Sequence, residues 1–412
     1  MSGAAQVVIV GGGYVGLDAY RALMRRLGRQ VKRGQVQITV VSPLPYHTFH
    51  GFTGEGLGEL VPLAHTLTPL PPLMPHARYL QGTVTRVDAQ RQQVEVHSEE
   101  GQVQLLTYEH LILGVGSVDP FDRLPGLREH GRCLKDARDM RAFRAELHAR
   151  FQARQPTTIN VIGGGYAGVE MAAALRERQQ REGLGGEIHL LSSGPVLETL
   201  GPALAPLAAH ARQSLQGLGV QLHEGVRIRE VTSGGAHAQD DRFFPADLTL
   251  FAAGIAPAVL PGTEAMRHPH SGRLLTDQYM RVPGHTNIWT GGDAAHVAHP
   301  KRPGDCPVNA LWAMKHGMCA GNNVARSLRG QPLRPFAYGG LGQSASLGHF
   351  NGITELLGLQ FKGPVAWVLR LAFFAWYMPS KRQGVRVVAD LLWRRPRAMQ
   401  GKAPVVPTSA AP

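Results

Sequence analysis

Apolar positions in this chain come mostly as short unbroken runs that end in or near glycine, and few segments alternate. Val7 to Val10, Val36 to Val41, Glu109 to Ser117 (EHLILGVGS), Glu187 to Leu191 (EIHLL), Ala246 to Gly254 (ADLTLFAAG) and Asn287 to Ala295 (NIWTGGDAA) are of that kind. A strand buried on both faces has no polar side to show, so such runs predict parallel sheets covered by helices. Helical spacing follows the first run as far as Leu27, and recurs in Thr158 to Leu175, in Asp136 to Phe151 and from about Val308 to Ser327. Thr83 to Val87 and Gln92 to Val96 alternate instead and lead into a polar HSEEGQ turn, as in a small antiparallel insertion. Val220 to Val231 reads as a further strand region. The pattern predicts an α/β chain built on doubly wound sheets.

The chain is organised around Gln6 to Leu27 (QVVIVGGGYVGLDAYRALMRRL), a strand turning through Gly11-x-Gly13-x-x-Gly16 into a helix. One glycine makes the tight turn, one lets a backbone approach a pyrophosphate, and one lets helix and strand touch. The anion then meets the N–H groups of the helix N-terminus. Thr158 to Leu175 (TINVIGGGYAGVEMAAAL) repeats the device with Gly163, Gly165 and Gly168, which predicts two dinucleotide folds in one chain. The ends of the two second strands carry Ser42 and Ser192, where an Asp or Glu would normally bind the adenosine ribose. Pro43 to His50 (PLPYHTFH) is an aromatic and histidine-rich loop of the kind that lies over a cofactor.

With 412 residues, 43% of them hydrophobic and 50 of them glycine, the chain has room for two to three domains and is neither disordered nor collagen-like in composition. Cys133, Cys306 and Cys319 form no CxxC or CxxxxC pair, which predicts a reducing compartment without a disulfide framework, and no room for a secretory signal precedes the first strand. The expected location is therefore cytoplasmic. Net charge is +13, but residues 361–402 hold nine Lys/Arg and one acid, leaving +5 for the rest, so the charge is expected to be a tail property and nucleic acid is not an expected partner. His296-x-x-His299 has metal-like spacing without a third ligand, and no metal is expected.

Taken in order, these residues resemble the two-dinucleotide-binding flavoprotein disulfide reductase superfamily, and within it the type II NADH dehydrogenases, the NADH:quinone oxidoreductases. The resemblance runs from about Val7 to Trp393, and is most specific at Tyr46-His47-x-Phe49, Leu113 to Ser117 with Pro125-Gly126, Lys135-Asp136-Ala137, Gly163 to Glu170, Ala252-Ala253-Gly254, Asn287 to Ala295 and Ser346-Leu347-Gly348. It implies an FAD domain in two pieces (1–150 and 276–345), an inserted NAD(P)H domain (151–275), a C-terminal membrane-associating region (346–396) of amphipathic helices and a disordered tail (397–412). FAD would be held by Gly11, Gly13, Tyr14, Gly16, Ser42, His47, Gly116, Gly292, Asp293 and Ala310. NADH, with NADPH as the alternative, would be held by Gly163, Gly165, Tyr166, Gly168, Ser192 and Gly254.

The resemblance also implies hydride transfer from NADH to flavin and two electrons passed to a quinone, without proton pumping. Glu170, read as lying in the first turn of its helix, takes the position of the family's acid near nicotinamide and flavin. The quinone-reducing relatives carry Ala-Gln-x-Ala-x-Gln-Gln where this chain has Ala310-Leu311-Trp312-Ala313-Met314-Lys315-His316. Lys315 is then expected as a cation near the flavin edge or quinone, and His316 as a proton relay. Sulfide:quinone-type enzymes, soluble reductases with a protein or disulfide partner, and a non-catalytic flavin protein remain the rival readings.

Pro364 to Met378 (PVAWVLRLAFFAWYM) is strongly apolar but shorter than the roughly 20 residues a spanning helix needs, and Arg370 interrupts it. It reads as an interfacial helix on the cytoplasmic face of the membrane, with Trp367, Trp376 and Tyr377 at headgroup depth. Val385, Val388, Leu391 and Leu392 continue the apolar face among Lys381, Arg382, Arg386, Arg394, Arg395 and Arg397. Cover over the flavin domain, or a homodimer interface, is the alternative use of this segment.

Overall fold

The computed structural model describes residues 3–393. They form two compact units. Residues up to Thr48, Pro69–Pro120 and Ile255–Leu341 make the first; Phe49–Thr68, Phe121–Gly254 and the described residues from Gly342 on make the second. The longer helices are α1 (Tyr14–Lys32), α2 (Ala137–Gln152), α3 (Tyr166–Glu182), α4 (Ala205–Leu218), α5 (Ala310–Ser327), α6 (Gly363–Tyr377) and α7 (Lys381–Trp393).

In the first unit a five-stranded sheet runs in the order Ile288–Thr290, His110–Leu113, Ala5–Val10, Val36–Ser42, Arg78–Gln81, with every neighbouring pair parallel. Val7, Val8, Ile9 and Val10 are all buried, which is why the run carries no polar alternation. Helices α1 and α5 meet almost backbone to backbone, because a Cβ on Gly317 would come within 2.3 Å of the Val15 carbonyl oxygen and one on Gly321 within 2.4 Å of that of Ala19. These two glycines, four residues apart on one face of α5, fix its position along α1. The alternating segments form the expected antiparallel piece, with strands Thr83–Asp88, Gln93–His97 and Val103–Thr107.

The second unit repeats the plan. Its five-stranded parallel sheet has the order Gly131–Arg132, Leu248–Phe251, Ile159–Ile162, Ile188–Leu191, Gln221–His223. Its core gathers Phe143, Leu147, Val169, Leu175, Leu190 and Leu215 from α2, α3, the sheet and α4. Helix α2 starts one residue later than the sequence pattern suggests, because Asp136 is its cap and accepts a hydrogen bond from the Arg138 N–H at 2.7 Å. A three-stranded antiparallel sheet (Gly342–Ser346, Gly352–Leu356, Leu359–Lys362) precedes α6 and α7.

These boundaries differ from those read in the sequence. Residues 49–68 fold with the second unit, and the chain from Gly342 on is continuous with that unit, held to it by buried contacts that a linear pattern does not record. The tail expected at 397–412, and Arg394, Arg395 and Arg397, lie outside the described residues. Outside residues 361–402 the basic charge gathers on α1, which carries Arg21, Arg25, Arg26, Arg29 and Lys32 against Asp18.

Candidate functional site

Both glycine turns have the geometry that a bound pyrophosphate requires. A Cβ on Gly16 would lie 1.9 Å from the Gly11 carbonyl oxygen, and one on Gly168 would lie 1.8 Å from that of Gly163, so each helix abuts its own turn. Gly13 and Gly165 are the opposite case, with nothing within 4 Å of the Cβ position, which leaves their outer faces clear for a ligand. Each is the N-cap of its helix without a side-chain cap, and neither α1 nor α3 has an acid in its first turn. Their leading N–H groups therefore keep their full positive polarity for an anion. Asp136 on α2 and Asn309 on α5 cap their helices by side chain, whereas α4 and α6 also lack a side-chain cap but follow no Gly-x-Gly-x-x-Gly turn.

In the first unit His47 fixes the turn. Its ring Nδ1 sits 3.1 Å from the Gly12 carbonyl, which can only accept, so Nδ1 carries the proton. Burial lowers its pKa to about 4, so the ring is neutral, and it stands edge-on to Tyr14 with centroids 4.7 Å apart. Its Nε2 is buried with no protein partner among the described residues, an acceptor suited to a ligand donor. Ser42 turns its hydroxyl to the Leu44 carbonyl at 3.1 Å. Gly116, at φ +70°, leads to Ser117, whose hydroxyl donates to the Asp293 carboxylate at 2.7 Å. Gly292, at φ +69°, aims its N–H at His316 Nδ1, 3.1 Å away.

That last bond separates two residues the sequence placed together. His316 is buried and its pKa falls to about 4, so it is a neutral acceptor holding the Gly292–Asp293 turn, packed edge-on to Phe336. Such a ring orients its neighbours and is badly placed to relay protons at neutral pH. Lys315 and Leu311, one helical turn apart, are only partly buried, and the Lys315 ammonium lies 5.5 Å from the Tyr338 ring centroid. Helix α5 begins at Ala310 rather than at about Val308, and the Asn309 side chain accepts from the Trp312 N–H at 3.2 Å.

In the second unit Glu170 is the fifth residue of α3, beyond the first turn, so the helix dipole does not explain it. Its Oε1 accepts from the Ser346 N–H and from Arg370 Nη2, both at 2.8 Å. Arg370 Nη1 also meets Glu55 Oε1 at 2.5 Å, and Nη2 donates to the Gly51 carbonyl at 2.7 Å. Burial pushes the Glu170 carboxyl up, with Glu55 adding to it and Arg370 opposing. The arginine read as an interruption in an interfacial helix is thus a buried counter-ion to two carboxylates, under the ring of Phe374 at 4.6 Å. Glu55 went unnoticed in the sequence, and its 315-residue separation from Arg370 leaves no local signal. Tyr166 donates to the Gln343 side chain at 2.6 Å, Ser192 is buried beside Gly164, and Gly254, at φ +105°, lies next to Arg123.

Residues 5–317 match the family described as pyridine nucleotide-disulphide oxidoreductase. The demethylphylloquinone reductase NdbB of Synechocystis sp. is 27% identical, over 94% of this chain and 96% of that protein. The type II NADH:quinone oxidoreductase NdhA of Mycobacterium tuberculosis is 25% identical, over 95% and 87%. Among solved structures, NDH2 from Plasmodium falciparum in complex with NADH superposes with a TM-score of 0.82 at 14% identity, over 94% of this chain and 97% of that one, a likeness of fold.

Proposed function

Since this chain belongs to the pyridine nucleotide-disulphide oxidoreductase family, we propose that it is an FAD-dependent oxidoreductase that takes a hydride from NADH and delivers two electrons to a quinone, without pumping protons. The observation that carries the reading is the pair of uncapped glycine turns, one on each parallel sheet, with Asp293 and Ser117 poised beside the first. Bound FAD supplies the two-electron relay between donor and acceptor. Relatives over nearly the whole length carry the names of quinone reductases, which favours a quinone as the acceptor.

The protein's own part is to bind, orient and tune. Gly11, Gly13 and Gly16 hold one pyrophosphate on α1, and Gly163, Gly165 and Gly168 hold the other on α3. The Asp293 carboxylate, kept in place by Ser117 and the His316-anchored Gly292 turn, would accept from the ribityl hydroxyls of bound FAD. Glu170, held by Arg370 and the Ser346 amide, would be the acid near the nicotinamide. Lys315 is the cation that favours negative charge on the reduced carriers.

Thiol chemistry fits less well. The three cysteines form no disulfide, and burial pushes the thiols of Cys306 and Cys319 up to about 12, so neither is a ready nucleophile. Steady-state oxidation of NADH with a short-chain quinone and added FAD tests the assignment. Turnover that needs both FAD and quinone supports it, and NADH consumption indifferent to quinone would rule it out.

Peripheral membrane association on the cytoplasmic face is part of the same proposal. No helix among the described residues is long and apolar enough to cross a membrane. The surface differs from the one read in the sequence, because Trp367 and Leu391 are buried in the protein. What remains outward on α6 and α7 is Val365, Val368, Trp376, Val385, Leu392 and Trp393, with Lys381 and Arg382 beside them. The Lys381 ammonium lies over the Trp376 ring at 4.7 Å, so the charge sits where an anionic headgroup would meet it. Each such cation contributes roughly 1 kcal/mol at an anionic leaflet. Trp376→Ser with Trp393→Ser should lower co-sedimentation with anionic liposomes, and unchanged binding would move the contact elsewhere.

A further inference from the structure

The second glycine turn lacks the ribose acid where the strand ends, at Ser192, yet a carboxylate occupies the same loop from a position six residues on. Ser192 is held at both backbone ends, its N–H donating to the His223 carbonyl at 2.9 Å and its carbonyl accepting from the Val226 N–H at 2.8 Å. Its hydroxyl lies 2.2 Å from where a Gly164 Cβ would be, so the serine packs onto the glycine turn itself. The loop then returns to that turn, with the Leu197 N–H donating to the Gly164 carbonyl at 2.8 Å.

Leu197 adopts the left-handed conformation, φ +58°, which a leucine takes only when its surroundings impose it. The imposed bend starts the short turn Glu198–Leu200 and folds the Glu198 side chain back over Gly194, with Oε2 2.4 Å from that residue's Cβ position. A side chain at 194 would push the carboxylate aside, and glycine leaves it room. Glu224, the neighbouring acid that follows the strand Gln221–His223, is already engaged. Its Oε1 accepts from the Val196 N–H at 2.6 Å and from Arg212 Nε at 2.7 Å, which braces the loop from outside. The Glu198 carboxylate has no such partner among the described residues and is exposed.

We propose that Glu198 is the specificity-determining acid for the adenosine ribose, replacing the missing strand-end carboxylate, and that it makes the site selective for the unphosphorylated nucleotide; this rests on the NADH reading above. A carboxylate accepts from the ribose diol and repels a 2′-phosphate that brings a charge near −2. Where the sequence leaves NADPH as the alternative, with no Arg between Ser192 and Thr199 and no acid at the strand end, this assignment makes the preference for NADH a marked one.

The test is calorimetric titration of the FAD-loaded protein with ADP-ribose and with 2′-phospho-ADP-ribose, which carry the ribose without the redox chemistry, alongside steady-state assays with NADH and NADPH. Wild type should bind ADP-ribose at least about tenfold more tightly than its 2′-phosphate. Glu198→Gln should bring the two affinities within about threefold, and Glu198→Asp should restore most of the preference. An unmoved ratio in Glu198→Gln, with wild-type NADH turnover intact, overturns the role of Glu198 alone. Preserved discrimination by wild type that Glu198→Gln abolishes upholds it even if no quinone is reduced. Failure of wild type to bind ADP-ribose overturns both readings.

Discussion

Replacing Arg370 by methionine removes the cation but keeps most of the side-chain volume, so the loss it causes is electrostatic. Arg370 is about 1% exposed and stands between Glu55 at 4% and Glu170 at 15%. Its removal strands two carboxylates and the Gly51 carbonyl that it also serves. Breaking a buried ion pair by taking one partner costs about 3–5 kcal/mol, because the remaining charge is uncompensated. Glu170 will respond by binding a proton. Glu170 is already pushed up by burial, and without Arg370 it rises further. A carboxyl whose folded pKa lies above its unfolded value contributes stability that is fully present at low pH and is lost as pH rises through the folded pKa. Arg370→Met should therefore be nearly tolerated at about pH 5 and increasingly destabilised toward about pH 8, losing up to about 1.4 kcal/mol per pH unit for each proton held. Hydrogen exchange of peptides from α3 and α6, corrected for the intrinsic pH dependence of exchange, reads the opening free energy where it changes. Adding Glu55→Gln and Glu170→Gln should recover most of the loss at high pH. A cost that is equal at both pH values and not recovered by the neutral glutamines would refute the charge argument and leave only packing.

Two further outcomes follow from the geometry. Gly16→Ala places a Cβ 1.9 Å from the Gly11 carbonyl oxygen, so the purified protein should come out with little FAD while NADH-analogue binding to the second turn persists; full FAD retention would mean that the turn can relax. Lys315→Ala should slow reoxidation by quinone more than reduction by NADH, measured as separate half-reactions, and equal effects on both would remove Lys315 from the acceptor side.

The two glycine turns were legible because their demands are local: Gly11, Gly16, Gly163 and Gly168 each answer a clash or a backbone angle within a few residues. The apolar strand runs were legible for the same reason, since burial on both faces leaves its mark on every residue of the run. What escaped depends on distant parts of the chain meeting. Gly317 and Gly321 read as ordinary helix residues until α1 is beside them. An arginine inside an apolar helix is equally consistent with a membrane surface and with a buried acid pair, and only the fold brings Glu55 and Glu170 to Arg370. The place of Glu198 has no signature at the strand end, because it depends on the left-handed bend at Leu197 that folds its side chain over Gly194. His316 shows the reverse, a residue whose chemistry suggests proton transfer but whose burial and bond to Gly292 give it a structural task.

The central claim is that one FAD carries electrons from NADH to a quinone, and anaerobic stopped-flow measurement of the flavin's visible absorption tests it most directly. Mixing the FAD-loaded protein with NADH should bleach the band quickly enough to account for turnover, and a second mix with a short-chain quinone should restore it just as competently. A band that NADH leaves intact, or one that NADH bleaches but quinone does not restore, would contradict the account.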